Sequence, residues 1–141
     1  MILVDGKESD RLDVRDRGLQ YGDGLFETLA VRDGRPRRWS AHLERLEVGC
    51  QRLGIPVPDQ DVLGRDAERC CAGHVRAVLK LLVTRGSGGR GYRPPAEPRP
   101  RRILMTSPWP EYPDDHWAEG VRLRYCDTPL GVSPALAGLK H

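Results

Sequence analysis

Ile2, Leu3 and Val4 form a short apolar run that meets Asp5-Gly6, a dipeptide suited to tight hairpin turns. Beyond it Leu12 and Val14 alternate with charge. After the glycine-punctuated stretch from Gly18 to Gly24, Leu25 to Val31 has strand composition, and Asp33-Gly34 turns the chain into Arg35 to Trp39. Two hairpins are therefore predicted. The period then changes. Leu43, Leu46, Cys50 and Leu53 mark one face of a helix, with Ser40 as its expected N-cap and Gly54 and Pro56 as its close. A second helix is expected from Asp59, carrying Val62, Leu63, Ala67, Cys70 and Cys71 until Gly73 stops it. Val75 to Thr84 is almost continuously apolar, as a central strand requires, and Ile103 to Thr106 adds another. Val121, Leu123 and Tyr125 alternate cleanly and predict a strand over 121–126.

Strands, two helices and more strands predict an α+β fold, a two-layer sandwich with a mainly antiparallel sheet. Residues 1–115 are expected to form this domain. Residues 116–141 are expected to be a linker and the start of a truncated second domain, opening with the strand at 121–126. From Asp127 to His141 the chain reads as loop, with Pro129, Gly131, Pro134 and Gly138.

The length of 141 residues suits one core-bearing domain. Twenty-three Lys and Arg against twenty Asp and Glu give a net charge of only +3, not the imbalance of a tail-driven nucleic-acid binder. No apolar run approaches the roughly 20 residues of a membrane span, and Asp5 interrupts any secretory leader at once. The cytoplasm is the expected compartment, with neither nucleic acid nor membrane as partner. Cys50, Cys70, Cys71 and Cys126 lack C-x-x-C spacing. They read as reduced thiols, and no metal site is expected.

Gly86-Ser87-Gly88-Gly89-Arg90-Gly91 satisfies G-x-G-x-x-G after a predicted strand. A dinucleotide site needs a helix to open at the last glycine, and Pro94, Pro95, Pro98 and Pro100 forbid one. What the segment offers instead is charge: six arginines between Arg85 and Arg102, against Glu97 alone. A guanidinium takes carboxylate or phosphate through a planar fork. Arg85 and Arg90, bracketed by glycines, are candidates for a small-anion pocket, whereas Arg93 to Arg102 read as a solvated loop.

Four stretches together resemble aminodeoxychorismate lyase, a fold-type IV pyridoxal-phosphate enzyme. They are Gln20 to Thr28 (QYGDGLFET), Ser40 to Leu46 (SAHLERL), Thr84 to Tyr92 (TRGSGGRGY) and Leu136 to His141 (LAGLKH). The first two are shared, more loosely, with branched-chain and D-amino-acid aminotransferases of the same fold type; the arginine–glycine segment favours the lyase. The resemblance covers essentially the whole chain and the N-terminal half of a typical member. It implies the N-terminal α+β domain of the D-amino-acid aminotransferase-like fold, with pyridoxal 5'-phosphate as cofactor.

By this resemblance Lys140 is the lysine that takes the cofactor covalently, and the catalytic base and acid. Taken alone, a lysine near a chain end reads as a solvated side chain, and only its Ala-Gly-Leu-Lys-His setting assigns it. Arg45 resembles the arginine that holds the cofactor phosphate; His42, three residues earlier, shares its helix face. Tyr21 and Glu27 lie in the segment that lines the pocket, Phe26 is expected in the core, and Asp23 serves the glycine turn. Arg85 and Arg90 are expected on substrate carboxylates. The implied reaction takes 4-amino-4-deoxychorismate to 4-aminobenzoate and pyruvate in folate synthesis, in a homodimer. Two alternatives stand beside it: a D-amino-acid or branched-chain aminotransferase, and a non-catalytic remnant that dimerises or binds anions.

Overall fold

The structure is a computed structural model that describes residues 1–128, 131 and 133–141. Its elements in chain order are β1 (Ile2–Val4), β2 (Lys7–Glu8), α1 (Arg17–Tyr21), β3 (Gly24–Arg32), β4 (Arg35–Pro36), α2 (Trp39–Leu53), α3 (Gln60–Cys71), β5 (Arg76–Thr84), β6 (Arg101–Pro108) and α4 (Asp115–Ala118). Six strands form one sheet in the order β2-β1-β6-β5-β3-β4, and every pairing is antiparallel. The predicted α+β sandwich is thus observed, with α2 and α3 as the second layer.

Strand alternation sorts the sheet into two faces. Leu25, Glu27, Leu29 and Val31 of β3, with Ala77, Leu79, Leu81 and Val83 of β5, point to the helices and are buried. There they meet Leu43, Leu46 and Cys50 of α2 and Leu63, Ala67, Cys70 and Cys71 of α3. Each fully buried leucine contributes about 1.5–3 kcal/mol. The opposite face is open: Phe26, Leu82 and Ile103 stand in one cross-strand row, Thr28, Lys80 and Met105 in the next. Leu12, Leu19 and His141 help this face enclose an apolar hollow of about 290 Å³. Phe26, expected in the core, belongs to this second face because its parity is even. The chain exposes 10308 Å², against about 7,300 Å² for a compact protein of its mass.

Several boundaries differ from expectation. Ser40 does not cap α2; the helix starts at Trp39, which packs on the core, and Arg38 enters it at φ 54 without a side-chain cap. Asp59 does cap α3, accepting from the backbone N–H of Asp61 and Val62 at 2.9 and 3.0 Å. Residues 121–126 form no strand: Val121, Leu123 and Tyr125 are exposed, and among the described residues no strand pairs with them. The short helix α1 falls where only a glycine-rich turn was predicted. Pro129, part of the predicted loop, lies outside the described residues. No helix among the described residues is long and apolar enough to cross a membrane.

Candidate active site

Glu27 is the unusual residue of the core, a carboxylate 1% exposed on the helix-facing side of β3. A buried carboxylate is stable only when its oxygens are hydrogen-bonded. Here α2 supplies the donors. Arg45 donates from Nε to Oε1 at 2.7 Å and from Nη2 to Oε2 at 2.5 Å, and His42 Nδ1 lies 2.7 Å from Oε2. Burial pushes the Glu27 carboxyl up, but the hydrogen bonds and charges of Arg45 and His42 outweigh it and hold the group below its ordinary value. Glu27 is therefore ionised and can only accept, so His42 carries a proton on Nδ1. Glu27 in turn raises the Arg45 guanidinium above its ordinary value. Arg45 nevertheless remains 49% exposed, and its Nη1 edge stays uncommitted among the described residues.

The outer edge of β3 is free over this stretch, because β4 pairs only with Val31 and Arg32. The C-terminal segment docks there. Phe26 N–H donates to the Lys140 carbonyl at 2.9 Å, and the Lys140 Nζ lies 5.1 Å from the centre of the Phe26 ring. Lys80, from β5, places its Nζ at the same distance from that ring. An ammonium over an aromatic face is held by the ring quadrupole. Lys140 is half-buried, with Leu139 packed against the core. The lysine amine and the arginine guanidinium thus approach one short stretch of β3, from its open and helix-facing sides respectively.

Asp23 does more than serve a turn. Its Oδ2 accepts from Arg17 Nε at 2.7 Å and Arg85 Nε at 2.8 Å, and despite burial these two guanidiniums hold the carboxyl below its ordinary value. Arg85 also donates to the carbonyls of Gly54 and Leu53, both at 2.8 Å. Its side chain is 8% exposed and braces the end of β5 against the end of α2. Arg17, 3% exposed, donates to the carbonyls of Gly91 and Tyr92, both at 3.0 Å, and stacks 4.7 Å from the Tyr21 ring centre. The Tyr21 hydroxyl accepts from Gly91 N–H at 3.1 Å. Together α1 and Arg17 fix the glycine-rich segment as a shaped loop. Gly86 sits at φ +88, and a Cβ there would lie 1.9 Å from the Arg99 carbonyl oxygen, so no other residue fits.

Arg90 stands exposed at the tip of that loop. It shares a cleft of about 700 Å³ with Arg15, Gln20, Tyr21, Gly88 and Gly89. The structure therefore groups Tyr21 with Arg90, groups Glu27 with Arg45 beside Lys140, and sets Arg85 between the groups as a brace. The roles of Arg17, His42 and the Asp23 hub were not predicted. Asp16, whose side chain caps α1 by accepting from Gly18 N–H at 2.8 Å, and the left-handed Gly22 that closes it are the local signals for α1. Among the described residues no three His, Cys, Asp or Glu converge as metal ligands. Burial pushes the Cys50 and Cys71 thiols up to about 11, which makes them poor nucleophiles.

The family described as amino-transferase class IV matches residues 24–141. The chain is 36% identical over 141 residues to aminodeoxychorismate lyase of Vibrio harveyi, covering 100% of this chain and 52% of that protein. The crystal structure of 4-amino-4-deoxychorismate lyase from Pseudomonas aeruginosa superposes with a TM-score of 0.92 at 57% identity, again over 100% of this chain and 52% of that one. A hypothetical aminotransferase from Mycobacterium tuberculosis, in its PLP-bound form, matches with a TM-score of 0.65 at 31% identity over 78% of this chain and 40% of its own. The chain spans about half the length of the relatives it matches.

Proposed function

The chain belongs to the class IV aminotransferase family, and from that premise we propose that it carries part of the active site of a pyridoxal-phosphate-dependent lyase that converts 4-amino-4-deoxychorismate to 4-aminobenzoate and pyruvate. The observation that carries this reading is the docking of Lys140 on Phe26, next to the Glu27 carboxylate that anchors Arg45. The donor set fits the cofactor: a lysine amine for its aldehyde, and an exposed guanidinium edge for its phosphate.

When bound, pyridoxal phosphate supplies electron withdrawal from the carbon that bears the substrate amine. The chain's residues supply the rest. Lys140 Nζ takes the proton from that carbon and returns a proton to the departing enolpyruvyl group, so that the ring becomes aromatic and pyruvate forms. Arg45 neutralises the phosphate, while Glu27 and His42 hold Arg45 in place. Arg90 and Tyr21 face the cleft suited to a substrate carboxylate. Arg85 acts through the ends of β5 and α2 that it braces, because its Nε, Nη1 and Nη2 donate to Asp23 and to the carbonyls of Gly54 and Leu53.

Residues 1–115 then form the N-terminal domain, and 116–141 lead into the rest of the fold. A homodimer is in keeping with the large exposed area and the open apolar sheet face. A reducing cytoplasm suits the buried free thiols. Incubating the chain with pyridoxal phosphate and 4-amino-4-deoxychorismate tests the reaction. Release of 4-aminobenzoate and pyruvate in equal amounts, lost in Lys140→Ala, is expected. Half-transamination of D-alanine or a branched-chain amino acid without 4-aminobenzoate release would assign an aminotransferase instead.

A further inference from the structure

Lys140 ends a segment with no sheet ladder of its own. Residues 133–139 are a series of turns, with Leu136 and Ala137 N–H both donating to the Ser133 carbonyl and Leu139 N–H to the Leu136 carbonyl, each at 3.0 Å. Turns alone leave such a strap free to slide along the surface it crosses. A slip of one residue shifts the chain by about 3.3–3.6 Å and would bring Leu139 or His141 to Phe26 in place of Lys140.

The clamp comes from the last turn of α2. Arg52 donates from Nη1 to the Ala137 carbonyl at 2.8 Å and from Nη2 to the Ala135 carbonyl at 3.0 Å. A planar guanidinium holds its donors at fixed separation, so it fits this pair of carbonyls in one register. Gly138 follows at φ +81, a conformation that favours glycine, and bends the chain directly after the clamp. Leu139 then packs on the core and the Lys140 carbonyl receives Phe26 N–H.

We infer that Arg52 is a positioning residue for the Lys140 amine, setting the register of the strap that delivers it. The inference rests on the reading of Lys140 as the cofactor lysine. Arg52 is exposed and lies at the protein surface, so its removal opens no cavity in the core. Its effect is on where Lys140 stands. A misplacement of about 1 Å can lower the rate of a positioned reaction by as much as 10²-fold.

The test uses the 141-residue chain, with pyridoxal phosphate as the probe and borohydride to trap the adduct. Lys7, Lys80 and Lys140 are the three lysines, so peptide mapping reads site selectivity directly. Wild type is expected to carry the label on Lys140. Arg52→Ala should lower labelling of Lys140 relative to Lys7 and Lys80 by about 10- to 100-fold, at an unchanged melting temperature. Arg52→Lys, which keeps the charge but lacks the fork, should recover only part of the selectivity; it also serves if Arg52→Ala does not fold. Amide exchange at Phe26 should quicken in both variants without any cofactor. Wild-type labelling of Lys140 that persists in the variants, with Phe26 equally protected, would overturn the role of Arg52. Labelling scattered over all three lysines in wild type would overturn the Lys140 reading itself, and the inference with it.

Discussion

Two carboxylates of β3 and its approach each hold two basic side chains, and the pairs behave differently. Asp23 joins Arg17 and Arg85, which are 3% and 8% exposed and hold backbone carbonyls with their remaining donors. Glu27 joins His42 and Arg45, and Arg45 stays 49% exposed. A guanidinium whose three nitrogens each donate inside the protein is a brace. One that is fixed on two sides and open on the third is prepared for an anion. The comparison separates Arg85 from Arg45, which look alike as letters in a glycine- or leucine-rich context.

The largest effect is expected where the brace is broken. Asp23→Ala leaves two buried guanidiniums without their carboxylate and should cost about 3–5 kcal/mol in a denaturant melt. A loss below about 1 kcal/mol would show that the hub is not a unit.

Glu27→Gln should cost less, about 1–3 kcal/mol, because Arg45 can turn into water; the same variant should weaken binding of pyridoxal phosphate, measured by absorbance titration. Acid titration sharpens the comparison further. Burial opposes ionisation of both Glu27 and Asp23, yet their hydrogen-bonded partners keep both native carboxyls below their ordinary values. Their contribution is therefore complete above the ordinary carboxylate range, about pH 4–5, and is lost as pH falls through the native values. Urea melts between pH 7 and pH 2 should show this loss, and Glu27→Gln should flatten part of it. The smallest effect is expected at Arg90, exposed at the loop tip: Arg90→Ala should change stability by less than about 0.5 kcal/mol, while raising the KM for a substrate carboxylate.

Much of the scaffold was legible because it obeys local rules. The Asp5-Gly6 and Asp33-Gly34 turns, the leucine face of α2, the Asp59 cap of α3 and the apolar run of β5 each announce their element within a few residues. The strand at 121–126 was legible as a pattern but does not form, since alternation needs a neighbour to pair with. Arg17 was not legible. An arginine normally reads as surface, and the carbonyls that bury this one lie 74 and 75 residues away.

The site divides in the same way. His42 and Arg45 share a face by helical spacing, which the sequence reveals; that both reach a buried Glu27 depends on strand parity and on how α2 packs. Glu27 and Arg85 read as candidate substrate contacts, and the structure gives both of them partners within the protein. Arg52 carried no signal, since its two carbonyl partners are 83 and 85 residues distant.

Lys140 and Arg45 are proposed to serve one bound molecule across the edge of β3. Reductive trapping with pyridoxal phosphate and with pyridoxal, which lacks the phosphate, is the decisive measurement. The phosphorylated aldehyde should label Lys140 far faster than pyridoxal in the wild-type chain, and Arg45→Ala should abolish this preference. Equal labelling by the two aldehydes, or a preference that survives in Arg45→Ala, would contradict it.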